Sequence, residues 1–141
     1  VNIMNNYELA LKIATEAHKG QVDKAGVPYI NHPLTVASLV DTEEEKIVAL
    51  LHDTIEDTNI TEQDLIDYGF PNKIVEAVKL LTHNKNVPYM DYVAKIKDNE
   101  LARKVKIADL THNSDLSRLK EITEKDKKRY EKYQKALLYL S

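Results

Sequence analysis

Apolar residues recur along this chain at intervals of three and four, separated by short polar stretches that hold its glycines and prolines. Leu9, Ile13 and Ala17 lie four apart, with Ala10 and Ala14 beside them. That spacing predicts an amphipathic helix with an Asn cap at Asn5 or Asn6 and an end at Gly20. The stretch GQVDKAGVPYINHP carries Gly26, Pro28 and Pro33 and reads as an ordered loop. Pro33 suits the first turn of a helix over residues 34–40. Thr42 with Glu45 predicts a capping box opening TEEEKIVALLHDTIED, whose apolar face is Ile47, Val48, Leu50 and Leu51. Thr61 with Asp64 begins a short helix before Gly69. Pro71 leads into NKIVEAVKLLTH, where Ile74, Val78 and Leu81 line one side. MDYVAKIK and ELARKVKIADLTHNSDLSRL are two further helices; the second sets Leu101, Val105, Ala108 and His112 in helical register. Thr123 with Asp126 opens the last, which runs into ALLYL. No stretch sustains the alternation of a surface strand. The expected fold is all-α, about six to eight helices with no sheet.

Composition agrees and narrows the function. The 3 Gly and 4 Pro are too few to break up so helix-rich a chain, and 43% hydrophobic with 30% charged residues is an ordinary globular balance. A length of 141 residues, without repeats or linker-like segments, predicts a single domain over 1–141. The net charge of −3 argues against DNA or RNA as a partner, which wants a strongly basic surface. No apolar run is long enough for a bilayer, and VNIMNNYEL lacks a signal-peptide core, so the cytoplasm is the expected compartment. The chain has no Cys, so any metal must be held by His, carboxylates and water.

Those ligand types occur where apolar sequence surrounds them. His52 and Asp53 end the apolar segment VALL, where an ionised Asp is costly unless paired or bound to a cation. Glu56 and Asp57 follow each by four residues, so a continuous helix would stack both pairs on neighbouring strips of one face. His32 sits at a loop-to-helix junction in YINHP, and Asp109 sits inside the apolar stretch of KIADLTHN with Asn113 one turn later. His32, His52, Asp53 and Asp109 thus make a candidate shell for one divalent first-row metal. Glu56 and Asp57 lie just beyond it, where water would need a base or an orienting group.

The motifs GxPYxxHP, LLHDxxED and KxADLxHN, in this order and at these distances, closely resemble the hydrolase domains of RelA/SpoT homologues within the HD superfamily, especially the stand-alone small alarmone hydrolases. The resemblance runs from about Leu9 to the final helix. It implies a helical fold binding one Mn²⁺ through His32, His52, Asp53 and Asp109, with Glu56 and Asp57 assisting attack by water. It implies removal of pyrophosphate from the 3′ position of guanosine tetra- and pentaphosphate, or chemistry on another phosphorylated nucleotide such as the 2′-phosphate of NADPH. It implies substrate contacts at Lys24, Asn113, Arg129 and Tyr133. One position departs: family members carry Arg just before the loop Lys, packed against guanine, whereas this chain has Asp23, followed after Lys24 by Ala25. A carboxylate cannot stack on a base and repels nearby phosphates. Nothing resembling the synthetase half of the long homologues follows, so pyrophosphokinase activity is not expected.

Plainer readings compete. The four ligand candidates could be caps and buried hydrogen-bonding groups, Glu56 and Asp57 a solvated helix end, and Lys24, Arg129 and Tyr133 solvent-facing residues. His18 reads as a packed or C-capping residue, His112 as core and His83 as structural. The rival to hydrolysis is a non-catalytic nucleotide sensor that retains the fold.

Overall fold

The computed structural model describes residues 4–141. Among them are nine α-helices: α1 (Asn6–Ala17), α2 (Asn31–Ser38), α3 (Glu43–Leu51), α4 (Thr54–Asp57), α5 (Glu62–Asp67), α6 (Asn72–Leu80), α7 (Tyr89–Lys97), α8 (Glu100–Asn113) and α9 (Glu124–Leu140). A 3₁₀ turn covers Leu116–Arg118, and no strand forms among the described residues beyond an isolated bridge between Val22 and Pro28. The all-α expectation therefore holds. The reading of the N-terminal segment falls partly on residues 1–3, outside the described residues. None of the described helices is long and apolar enough to cross a membrane.

The caps form where the sequence places them. Asn5 accepts the Glu8 amide at 2.8 Å to start α1. Complete capping boxes, Thr42–Glu45, Thr61–Asp64 and Thr123–Asp126, open α3, α5 and α9. Each satisfies amides that the first helical turn leaves without partners.

Helix α3 is the axis of the fold. It packs against α1, α2, α6 and α8, and Val48, Ala49, Leu50 and Leu51 are all fully buried. Four successive buried positions cover every side of a helix, which marks a core element rather than a surface one. Ile74, Val78, Ile96, Val105 and Leu110 close the core from α6, α7 and α8.

The structure corrects one expectation. The helix begun at Thr42 does not run through to Asp57: α3 ends at Leu51, and α4 restarts at Thr54. Side chains compete for the carbonyls that would continue it. His52 Nδ1 donates to Ala49 O at 2.5 Å, and Thr54 Oγ1 donates to Leu51 O at 2.7 Å. Local bonds of this kind offer the backbone an alternative to the helical ladder. The break leaves His52 and Asp53 at the end of the buried helix and gives Glu56 and Asp57 to a separate short helix.

Leu50→Ala should lower unfolding free energy by about 3 kcal/mol in denaturant titrations, the usual cost of a core cavity. Leu138→Ala, at an 81% exposed position, should change it by less than about 0.5 kcal/mol.

Candidate metal centre and adjoining clefts

The buried end of α3, the start of α2 and the last turns of α8 meet at one point. There His32, His52 and Asp109, all buried, each offer a ligand atom within 4.8 Å of the others. His32 Nε2 lies 2.8 Å from Asp109 Oδ1, and His52 Nε2 lies 3.3 Å from the same oxygen. Asp53 completes the group, with Oδ2 3.1 Å from His52 Nε2 and 3.7 Å from His32 Nε2. The four sequence candidates for ligands thus converge.

Hydrogen bonding around the group shows what it suits. His52 Nδ1 must carry a proton to donate to the Ala49 carbonyl, which leaves Nε2 of the neutral ring as a bare lone pair. That buried Nε2 has no hydrogen-bond partner, although two carboxylates flank it. His32 Nε2 lies at hydrogen-bond distance from Asp109. Burial opposes a charge on His52, but the two carboxylates outweigh it and hold its pKa well above the ordinary value. The group thus calls for positive charge at its centre, supplied by a proton or by a bound cation. The donor set, two imidazoles and two carboxylates, fits a first-row divalent ion.

Outer partners fix each candidate ligand. Tyr29 donates its hydroxyl to Asp53 Oδ2 at 2.5 Å. Burial, reinforced by the Asp53 charge, raises the Tyr29 pKa and keeps it a donor. Lys106, buried on α8 three residues before Asp109, donates to Asp109 Oδ2 at 3.0 Å. Burial opposes its charge, but Asp109 outweighs this and holds its pKa well above the ordinary lysine value. Burial likewise opposes the Asp109 charge, while Lys106 and the two imidazoles hold that carboxyl well below its ordinary value. Asn113 Nδ2 donates to Asp109 Oδ1 at 3.1 Å.

His112 stacks on His32, with ring planes 16° apart and Nδ1 to Nδ1 at 2.7 Å. Two facing nitrogens share one proton. If His32 keeps its Nε2 lone pair for a cation, its Nδ1 donates and His112 accepts. Burial, with His32 and Arg118 nearby, pushes the His112 pKa down, which suits a neutral acceptor. Its contact with His32 makes His112 more than the core residue the sequence suggested. His18 caps α1 and donates Nδ1–H to Gln21 Oε1 at 2.9 Å. His83 donates Nε2–H to Val87 O at 2.7 Å and stacks on Tyr92.

Sequence reasoning assigned no role to Tyr29 or Lys106. Each left a trace: Tyr29 lies within PYxxHP, and Lys106 stands one helical turn before Asp109.

Two clefts adjoin the centre and share Tyr29, Asn113 and Tyr133 as common walls. The inner cleft, about 310 Å³, is lined by Asp53, Glu56, Asp57, Lys106 and Asp109. Glu56 Oε1 accepts the His83 amide at 2.7 Å, which pins this carboxylate at the cleft wall. Burial, then the charges of Asp53 and Glu56, push the Asp57 carboxyl up to about 6. The outer cleft, about 340 Å³, is lined by Lys24, Asn113, Arg118, Arg129 and Tyr133, with Leu116 and Leu119 as apolar wall. Lys24, Asn113, Arg129 and Tyr133, the four substrate-contact candidates, therefore share one cavity.

A hairpin-like loop presents Lys24. Asp23 N–H donates to Val27 O at 2.9 Å, and Tyr29 N–H to Gln21 O at 2.8 Å. Gly26 makes the turn at φ +81°, a conformation that disfavours any residue with a Cβ.

Comparison with known proteins fits this geometry. The profile of the HD domain family matches residues 10–139. The chain belongs to the HD domain family. Over 120 residues this HD domain is 32% identical to the bifunctional (p)ppGpp synthase/hydrolase SpoT of Escherichia coli K12, covering 74% of this chain and 17% of SpoT. It is 35% identical over 117 residues to the guanosine-3′,5′-bis(diphosphate) 3′-pyrophosphohydrolase MESH1 of Xenopus tropicalis, covering 74% of this chain and 65% of MESH1. The chain thus matches about a sixth of the bacterial relative's length. A solved structure of a metazoan ortholog of SpoT that hydrolyses ppGpp superposes with a TM-score of 0.76 at 22% identity, covering 99% of this chain and 87% of that one. That likeness establishes the shared fold.

Two outcomes follow. His52→Gln and Asp109→Asn should each weaken Mn²⁺ binding in calorimetric titration by more than the roughly 10–100-fold expected of His112→Phe, which removes only an outer partner. Unchanged affinity in either ligand variant would place the ion elsewhere. Second, the folded Asp57 value of about 6 exceeds the ordinary 3.8, so charging this group costs the metal-free folded state stability as pH rises through that window. In chelator, Asp57→Asn should raise the melting temperature at pH 7.5 by a few degrees, roughly 1 kcal/mol after solvent screening, and the gain should shrink towards pH 4.5.

Proposed function

We propose that this HD domain is a Mn²⁺-dependent phosphohydrolase acting as a (p)ppGpp 3′-pyrophosphohydrolase. The observation that carries the reading is the adjacency of the two clefts. A chamber with the candidate ligands, Glu56 and Asp57 lies directly across Tyr29, Asn113 and Tyr133 from a chamber bearing Lys24, Arg118 and Arg129. A nucleotide with a phosphate chain needs both: chemistry at one end and neutralisation of charge along the rest. The names of the SpoT and MESH1 relatives support the same substrate.

When bound among His32, His52, Asp53 and Asp109, a divalent ion supplies Lewis-acid polarisation and makes water more acidic. Among these residues, Lys106 holds Asp109 by the oxygen that faces away from the imidazoles, and Tyr29 donates to the Asp53 oxygen that faces them. Asp57, with its carboxyl near 6, can take a proton from attacking water close to neutral pH. Glu56, fixed by the His83 amide, orients that water with its remaining oxygen. Water oxygen bonds to phosphorus as the bond from phosphorus to the 3′ oxygen breaks. The proton accepted by the acid pair is returned to the departing 3′ oxygen. Lys24 and Arg129 offset phosphate charge, and Asn113, tied to Asp109, faces the nucleoside.

In this reading the chain works as one catalytic domain on a small phosphorylated nucleotide in the cytoplasm. The substitution at Asp23 favours one second reading, another phosphorylated nucleotide such as NADPH with loss of its 2′-phosphate.

Metal-loaded protein incubated with ppGpp should yield GDP and pyrophosphate in equal amounts by ion-exchange chromatography. Glu56→Gln and Asp57→Asn should each lower kcat by about 10²- to 10⁴-fold while metal binding persists. Phosphate released from NADPH with ppGpp untouched would replace the substrate; tight ppGpp binding without any product would make the protein a sensor.

A further inference from the structure

Asp23 is the residue that sets this chain apart from the pattern it otherwise follows, and the structure shows where its charge goes. Its Oδ1 accepts the Ala25 amide at 2.8 Å and the Val27 amide at 3.0 Å. Its Oδ2 accepts from Arg118 at 3.2 Å, across 95 residues of sequence. The carboxylate is thus clamped to its own turn on one side and to a guanidinium on the other. Charge repulsion of phosphates, expected from Asp23 in isolation, is cancelled by that partner.

Arg118 ends the short turn at Leu116–Arg118, and both it and Asp23 line the outer cleft with Leu116 and Leu119. This cleft differs from the inner one in chemistry: both reach the Tyr133 ring, but only the outer one sets it beside the apolar wall of Leu116 and Leu119 and two guanidinium groups. A cavity of about 340 Å³ with apolar wall, aromatic ring and planar cation is suited to a flat, polarisable heterocycle. Lys24 lies on the same cleft, and so does Arg129 in its ion pair with Asp126, so the cleft carries cations for phosphate apart from Arg118.

We infer that Arg118, held in place by Asp23, is the specificity-determining residue that packs against the nucleobase of the bound nucleotide. The planar cation enters the cleft from the turn after α8, and the hairpin supplies its carboxylate anchor. Asp23 is a positioning residue acting through Arg118. A guanidinium both pairs with a carboxylate and presents a face for stacking, whereas a lysine ammonium does only the first. This inference deepens the nucleotide reading above and rests on it for the ligand class.

The test uses Mn²⁺-loaded protein titrated calorimetrically with GDP and, separately, with pyrophosphate, neither of which requires turnover. Wild type should bind GDP more tightly than pyrophosphate. Arg118→Ala should weaken GDP about 2- to 30-fold, the range of an exposed to desolvated cation–π contact, and leave pyrophosphate within about twofold. Arg118→Lys keeps the charge and the pair with Asp23, and should lose GDP affinity as well. The exchange Asp23→Arg with Arg118→Asp returns the guanidinium to the cleft from the other side and should recover part of the loss. Equal weakening of both ligands would make Arg118 a simple phosphate charge. Unchanged affinities with a lower melting temperature would make the pair a loop staple; no GDP binding by wild type would remove the base site altogether. Each of these results overturns the inference. If GDP binding follows the expected pattern while ppGpp is not hydrolysed, the proposed activity fails and the base site stands.

Discussion

The structure depends on an ionised carboxylate held inside the protein. Asp109 lies in the buried face of α8, among residues that otherwise form the hydrophobic core. An unpaired charge there would cost more than a marginally stable domain can bear. Lys106, Asn113, His32 and His52 all turn towards it, from three different helices or their ends. Lys106 matches its charge on one oxygen. The other oxygen faces two imidazoles, and beside them a second carboxylate, Asp53, whose own hydroxyl partner is Tyr29. Removing any of these partners leaves a buried charge exposed to low dielectric, so the polar cluster constrains the helices around it as firmly as the apolar contacts do.

The apolar core and the cluster are consecutive stretches of one helix. Fully buried Val48, Ala49, Leu50 and Leu51 set the position of α3, and His52 is the next residue. Packing of the last turn of α3 therefore fixes the imidazole that follows it, without a flexible link between them. Because α3 stops there, α4 carries Glu56 and Asp57 into the inner cleft as near neighbours of the cluster rather than as members of it. Burial there, and then the charges of Asp53 and Glu56, raise Asp57 towards neutrality.

Much of this was legible in the letters. Periodicity and capping pairs mark the helices closely, because Thr–x–x–Glu and Thr–x–x–Asp boxes act within four residues. The convergence of His32, His52, Asp53 and Asp109 was legible through motif order, since acids and imidazoles inside apolar runs need partners. The break after Leu51 was not, because it turns on side chains of His52 and Thr54 outcompeting the helical ladder, a contest that hydrophobic spacing does not register. Lys106 carries no sign of its burial in a helix that also holds Arg103 and Lys104. His112 and His32 are 80 positions apart, and Asp23 and Arg118 are 95 apart; such pairs exist only once the chain is folded. The sequence showed that Asp23 was unusual, while the meaning of the change lay in its distant partner.

The central claim is that two imidazoles and two carboxylates, brought together from α2, the end of α3 and α8, enclose one divalent cation. Anomalous diffraction at the manganese edge, from crystals grown with Mn²⁺, tests it most directly. The account predicts a single strong peak within bonding distance of His32 Nε2, His52 Nε2 and the carboxylates of Asp53 and Asp109. Manganese bound only at surface acids, with those four side chains hydrogen-bonded among themselves, would contradict it.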